Sequence, residues 1–523
     1  MRWHKYMAGI LGCILGLLFL PPLVSLIVNG FRAGFSVFSA IGINHLATLV
    51  MKTALLAAFA TTWATILALP FAWLVVRTNI PWRGLWRWVG TIPLAIPSYI
   101  GALTYITLLG PAGLVNDVIR SITSDVTPWV NIYGFWGGVF VLGSFTYPIM
   151  FLFLTSALEH TNPALEEAAS SLGLGRLGVF RLVTFPLLRP TMLAGGLLIF
   201  LYAISDFGAL SLLRVQVLTT EIYHQLNTRF DQTAAALLSC VLVVIAIIVL
   251  IGQRILLGRK NYTTVTGSTR EPRPLDLGPW RWLALTWILM VLTISFFLPL
   301  GLLVYQSGIG SLFVNVLQEQ WPFMANSLWI GALTATLAIS IGAMVAYISQ
   351  RLGPWAGKPL SNIPQIGYAI PGTVLGLSLI LLYNTYVPWL YGSVTVIILA
   401  YLIRFLTQAV QGSEAALISI HRNLEEAARS LGTRAFGVVS RVVIPITKPA
   451  LFSGWALVFI SAMKELDATL LLRPAGFDTI PVRIYIHTVE AEYSTAAVMS
   501  IVLIAATAVP WLVISTIREK HLI

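Results

Sequence analysis

Charge is scarce in this sequence. Of 523 residues only 10% are Asp, Glu, Lys or Arg, against about 25% in a soluble protein of ordinary composition. With 57% hydrophobic residues and a mean hydropathy of +0.85, that deficit excludes a soluble globular class and places the chain in a membrane. Cysteine is almost missing too. Cys13 and Cys240 both lie in apolar stretches, so neither a disulfide framework nor a CxxC metal signature is available. His224, His421 and His487 fall in separate loops without HExxH-like spacing, and no stable metal site is expected. The GxxxxGK[ST] phosphate loop is absent as well. Gly357-Lys358 is followed by Pro and lacks the upstream Gly, so the chain is not expected to bind ATP in the usual way.

Long apolar runs take their place. A span of roughly 30 Å of hydrocarbon needs about 20 residues. Candidate spans lie near 7–29, 45–76, 89–109, 134–158, 189–213 and 233–257, then near 282–306, 323–349, 361–384, 391–413, 448–472 and 493–517. The first exceeds the apolar stretch of a signal peptide and no convincing A-x-A site follows, so it reads as a span. The net charge of +12 is a topology signal. With the N-terminus inside, 23 of the 32 Lys and Arg residues fall in cytoplasmic segments and 6 outside. This is the bias of membrane proteins, it puts both termini in the cytoplasm, and it makes nucleic acid unnecessary as a partner.

The chain repeats itself. Leu165-Glu166-Glu167-Ala168-Ala169-Ser170-Ser171-Leu172-Gly173 returns 259 residues later as Leu424-Glu425-Glu426-Ala427-Ala428-Arg429-Ser430-Leu431-Gly432. At the same offset Pro186 matches Pro445, Pro190 matches Pro449, and Asp206 matches Glu465. Upstream, Arg77 matches Arg351 and Ala95-Ile96-Pro97 matches Ala369-Ile370-Pro371 at an offset of 274. The expected fold is an all-α polytopic membrane protein of two parallel six-helix repeats, about 12 transmembrane helices, with a pathway at their interface. The first membrane domain is expected over 1–257 and the second over 282–523. A Thr-, Pro-, Arg- and Gly-rich cytoplasmic linker, 258–281, joins them.

The repeated segment predicts a short helix in a cytoplasmic loop. Asn162 caps it, Pro163 takes the first helical position and Gly173 stops it. Leu165, Ala168, Ala169 and Leu172 form a small apolar stripe beside two carboxylates. So short a helix must dock on something. The protein's own helix ends would serve for one copy; two copies with the same spacing suggest a repeated partner surface.

Glu167-Ala168-Ala169, Gly173 and Pro186, with Glu426-Ala427-Ala428, Gly432 and Pro445, resemble the cytoplasmic signature of ATP-binding-cassette importer permeases of the type I fold. Leu172 and Leu431 stand where many members carry Asp. The resemblance implies that Glu166, Glu167, Ala168, Ala169, Gly173 and Pro186, and Glu425, Glu426, Ala427, Ala428, Gly432 and Pro445, couple the chain to two copies of an ATPase subunit. Glu167 and Glu426 would pair with basic residues of the ATPase groove. ATP and Mg would be bound by that partner, leaving no cofactor in this chain and no catalytic residue. An extracytoplasmic, periplasmic binding protein would deliver the solute, in a bacterial cytoplasmic (inner) membrane.

Lys464-Glu465-Leu466-Asp467-Ala468-Thr469-Leu470-Leu471-Leu472-Arg473-Pro474 resembles the matching stretch of fused ferric-iron permeases, with Asp467 where a small residue or Pro is expected. Ferric iron is a hard cation that prefers oxygen ligands. Asp206, Glu465 and Asp467 lie within or near spans, where ionisable groups cost several kcal/mol unless paired or solvated, and are the substrate-pathway candidates. A second reading makes them an ion-paired cluster with Lys464 at the external membrane edge. Arg404 and Lys52 read as structural or docking charges. Glu221, Tyr223, Asp478 and Tyr485 stand where a binding protein could be met. Thiamine or a polyamine remains an alternative cargo, and a major-facilitator-type carrier an alternative class that would not need the repeated loop.

Overall fold

Runs of Leu, Ala, Val and Ile longer than the hydrocarbon thickness leave the backbone no partner but itself, and helix is the outcome almost throughout. The computed structural model describes residues 2–32, 42–123, 125–258, 274–308, 310–352, 354–418, 420 and 422–520. Among them, eleven helices are long and apolar enough to cross a membrane, and one bent pair brings the number to twelve. Among the described residues there is no strand longer than one isolated bridge.

Eight of the twelve expected spans appear as continuous helical segments close to where the hydropathy puts them; the third and ninth are broken, and the fifth and eleventh end short of their expected bounds. The third does not run through 89–109: it breaks at Ile96-Pro97 and restarts as Ser98–Leu109. The ninth bends by 96° between Gly357–Gly367 and Gly372–Tyr386, at Ile370-Pro371. Each break has one cause. A residue before proline is pushed out of the helical region, and Ile96 and Ile370 are both extended (ψ 113° and 120°). The fifth and eleventh also shift. Their helices start earlier, at Leu177 and Val439, and stop at Ser205 and Met463. Asp206 and Glu465 therefore sit just past helix ends, not inside helices.

The repeat recurs in the packing. Ile43–Arg77, Phe135–His160 and Phe185–Ser205 pack as a trio in the first half, and Trp321–Leu352, Val394–Ile418 and Ile444–Met463 do so in the second. The leading helix of each half crosses over. Arg2–Arg32 packs on Gly372–Tyr386 and Trp321–Leu352, and Leu298–Ser307 packs on Ser98–Leu109. Residues 259–273 of the linker lie outside the described residues. Its last stretch is tied down: the Leu275 N–H donates to the Arg77 carbonyl at 2.8 Å, and Asn79 binds Asp276 at 2.7 Å.

Candidate functional site

The two signature helices, Pro163–Ser171 and Arg422–Ser430, stand at the ends of the long helices that carry Arg77 and Arg351. Asn162 Oδ1 accepts the Ala164 N–H at 3.0 Å, satisfying a donor that the first turn leaves free. Both helices stop at a glycine with positive φ, +90° at Gly173 and +82° at Gly432. The next residue's N–H then reaches back five positions, Leu174 to Ala169 at 3.2 Å and Thr433 to Ala428 at 3.1 Å. A π turn follows in each half, Phe180–Thr184 and Val439–Val443. Pro186 and Pro445 explain both. Proline has no N–H for the carbonyl four residues back and its ring crowds that carbonyl, so the helix widens there.

The carboxylates of the signature divide. Glu166 turns inward, 3.4 Å from Arg77 Nε, and accepts from Thr184 at 2.7 Å. Glu425 turns inward in the same way onto Arg351 (Nε at 3.3 Å) and Tyr347 (3.1 Å). Glu167 and Glu426 are exposed. The predicted apolar stripe also splits. Ala169 is buried, whereas Leu165 and Leu424 are half exposed and Leu172 and Leu431 are both 86% exposed. Each outward face thus offers two leucines, an alanine (Ala168 or Ala427) and one glutamate.

At the far end of the Phe185–Ser205 helix, roughly 30 Å away along 21 residues, the two halves enclose a cavity of about 230 Å³. Asp206, Glu465 and Asp467 all line it. Asp206 accepts from Ser98 Oγ and from the Ala209 N–H at 3.0 Å. Asp467 opens the short helix Asp467–Leu472 of the other half. Glu465 is bound by Arg404 Nη1 at 2.7 Å. The sequence reading missed this partner: Lys464, adjacent to Glu465 in sequence, instead donates to the Leu94 carbonyl across the seam at 2.9 Å. Tyr485 joins the seam through Ser211 at 2.7 Å.

Two residues expected to face a delivery protein do not. Asp478 is buried between Arg473 and Arg483 (3.6 Å to the latter), and Tyr485 is 9% exposed. Both are held by partners that come close only in three dimensions. Ser98 and Tyr99, which line the cavity, were also missed, although they directly follow the repeated Ala-Ile-Pro. Of the histidines, His487 comes together with Glu490 and Glu492, ligand atoms within 4.8 Å of one another. Its Nδ1 lies 2.7 Å from Glu492, and both glutamates are exposed.

The chain is thus a multi-pass helical membrane protein with twofold-repeated loop helices and a cavity at its internal seam. A family model of the binding-protein-dependent transport system inner membrane component matches residues 64–262 and 338–519, and the chain belongs to that family, the permeases of ATP-binding-cassette importers. It is an inner-membrane transport subunit. It is similar to the Fe(3+)-transport system permease protein FbpB 2 of Haemophilus influenzae, 27% identical over 89% of each chain. It is also similar to the ferric transport system permease protein FbpB of Actinobacillus pleuropneumoniae, 25% identical over 96% of this chain and 77% of that one. The sulfate transport system permease protein CysT of Salmonella typhimurium is 28% identical over 45% of this chain and 85% of its own.

Proposed function

We propose that this permease carries ferric iron into the cytoplasm, driven by two ATPase subunits seated on its two signature helices and supplied by an extracytoplasmic ferric-binding protein. One observation carries the ATPase part: the same outward face, Leu165, Glu167 and Leu172, recurs as Leu424, Glu426 and Leu431. Twin faces in one chain fit two identical subunits. ATP closes those subunits, draws the two helices together and switches the seam between inward- and outward-open arrangements. Glu167 and Glu426 reach the ATPase groove, while Glu166 and Glu425 tie each helix to its own span.

The cargo reading is supported by relatives that align over most of the chain and are named for ferric transport. The oxygen-rich cavity adds to it, because a hard trivalent cation favours carboxylate and hydroxyl oxygen. Three carboxylates disfavour an oxyanion. The test is ATP-driven Fe³⁺ uptake into liposomes holding the chain and its ATPase, with the binding protein outside. Uptake that requires both partners and collapses in Glu167→Ala/Glu426→Ala is the expected result. Stimulated ATP hydrolysis without iron movement, or with thiamine or a polyamine moving instead, overturns the cargo. Transport with no ATPase present overturns the coupling.

A further inference from the structure

Arg404 has no counterpart in the first half. At the 259-residue offset its position is held by Phe145, and both side chains line the central cavity. One guanidinium therefore stands among three carboxylates drawn from both halves. It bonds Glu465 directly, and its charge also acts on Asp206 and Asp467. Gly372 makes its place: a Cβ there would lie 1.9 Å from Arg404 Nη1. Lys464, the other cation of the wall, is turned to a backbone carbonyl, and the carboxylates outnumber the two cations. Buried carboxylates in excess of their counter-charges are unfavourable, so the cavity takes up positive charge, as protons or as a metal cation.

Tyr99 gives an independent sign of what the cavity is built for. The residue belongs to the cavity wall and is 4% exposed, and its hydroxyl oxygen is buried with no hydrogen-bond partner. A buried phenol left unpaired costs free energy unless something polar meets it. Its electrostatic neighbours include Glu465 and Asp467.

We propose that Arg404 is the internal counter-ion of this cavity, and that a hard multivalent metal cation competes with its guanidinium for Asp206, Glu465 and Asp467 and gains the Tyr99 oxygen as a further contact. This rests on the reading of the acidic cavity as the cargo path. Competition of this kind suits a transporter. A site with three carboxylates and no resident cation would hold a trivalent ion too firmly to release it, and passage needs binding that is weak enough to leave. Returning to the carboxylates, the guanidinium helps to expel the ion and offsets part of the cavity's negative charge between cycles.

Terbium(III), a hard trivalent oxygen-seeking ion whose emission is sensitised by nearby tyrosine, is the probe, titrated into the purified full-length chain. Arg404→Gln is expected to bind it at least about tenfold tighter than the native chain, one positive charge having left the site. Asp206→Asn/Asp467→Asn is expected to lose binding, and Tyr99→Phe to weaken it. If the Gln variant is not monodisperse, Arg404→Lys decides, with tightening of about threefold expected because an ammonium lacks the planar fork. Unchanged or weaker binding in both Arg404 variants, with the carboxylate variants still losing it, overturns the counter-ion and leaves the path reading standing. Terbium binding indifferent to the carboxylates overturns the path reading itself.

Discussion

Glu166 reaches back from the first signature helix to Arg77, 3.4 Å away at the end of a 35-residue helix. Glu425 makes the same connection to Arg351 in the second half. The Arg77 side chain is 2% exposed, so this contact is internal structure. It separates two neighbouring glutamates into one that positions the helix and one that faces outward.

Breaking the inward pair should damage the fold locally. Glu166→Gln leaves the Arg77 guanidinium buried without its counter-charge, a change that costs about 3 kcal/mol. Thermal unfolding in detergent should shift down, and hydrogen exchange should rise in residues 162–173. Glu167→Ala should leave both unchanged and lower ATP-driven uptake. Equal behaviour of the two variants would remove the distinction.

Leu172 and Leu431 are exposed enough that replacing them should not affect the free chain. Leu172→Ser/Leu431→Ser is expected to unfold within about 0.5 kcal/mol of the native chain. Capture of the ATPase should weaken roughly tenfold per leucine, corresponding to about 1.5 kcal/mol of lost apolar burial. Titration calorimetry with the ATPase checks it, and native affinity in the double variant would show that this face is not buried by the partner.

Gly173→Ala and Gly432→Ala test the backbone alone. Nothing lies within 4 Å of a Cβ at either position, so the cost comes from positive φ and is about 1–2 kcal/mol each. The readout is ATP hydrolysis uncoupled from uptake together with a lower unfolding temperature. Neutral variants would mean that the helix end relaxes into another turn.

Asp478, between Arg473 and Arg483, should prove structural. Asp478→Asn is expected to lower stability by about 2 kcal/mol, with the affinity for the binding protein unchanged. Surface plasmon resonance against the binding protein gives the decisive number. A loss of affinity at unchanged unfolding temperature would restore the docking role.

Much of the architecture was legible because its causes are local or repeated. Asn162, Pro163 and Gly173 act within a few residues of themselves, and the helix boundaries followed. The membrane spans follow from apolar runs that cannot be solvated. The breaks at Ile96-Pro97 and Ile370-Pro371 were present as a repeated motif but were hidden under continuous hydropathy, which does not register backbone geometry. The apolar stripe of the signature helix was legible as a helical period, but period alone does not say that Ala169 packs inward while Leu165, Ala168 and Leu172 stay exposed.

By itself the sequence determined a two-fold repeat of membrane helices, two signature helices and a set of carboxylates within or near the spans. Each of these is written in spacing along one chain. Only the tertiary structure decided that Glu166 belongs to Arg77, that Glu465 belongs to Arg404 and not to its neighbour Lys464, and that Asp206 and Asp467 line one cavity of about 230 Å³. The reason is physical. An ion pair inside a membrane protein is chosen by which charges share a desolvated space, and that space exists only once helices distant in sequence have packed around it.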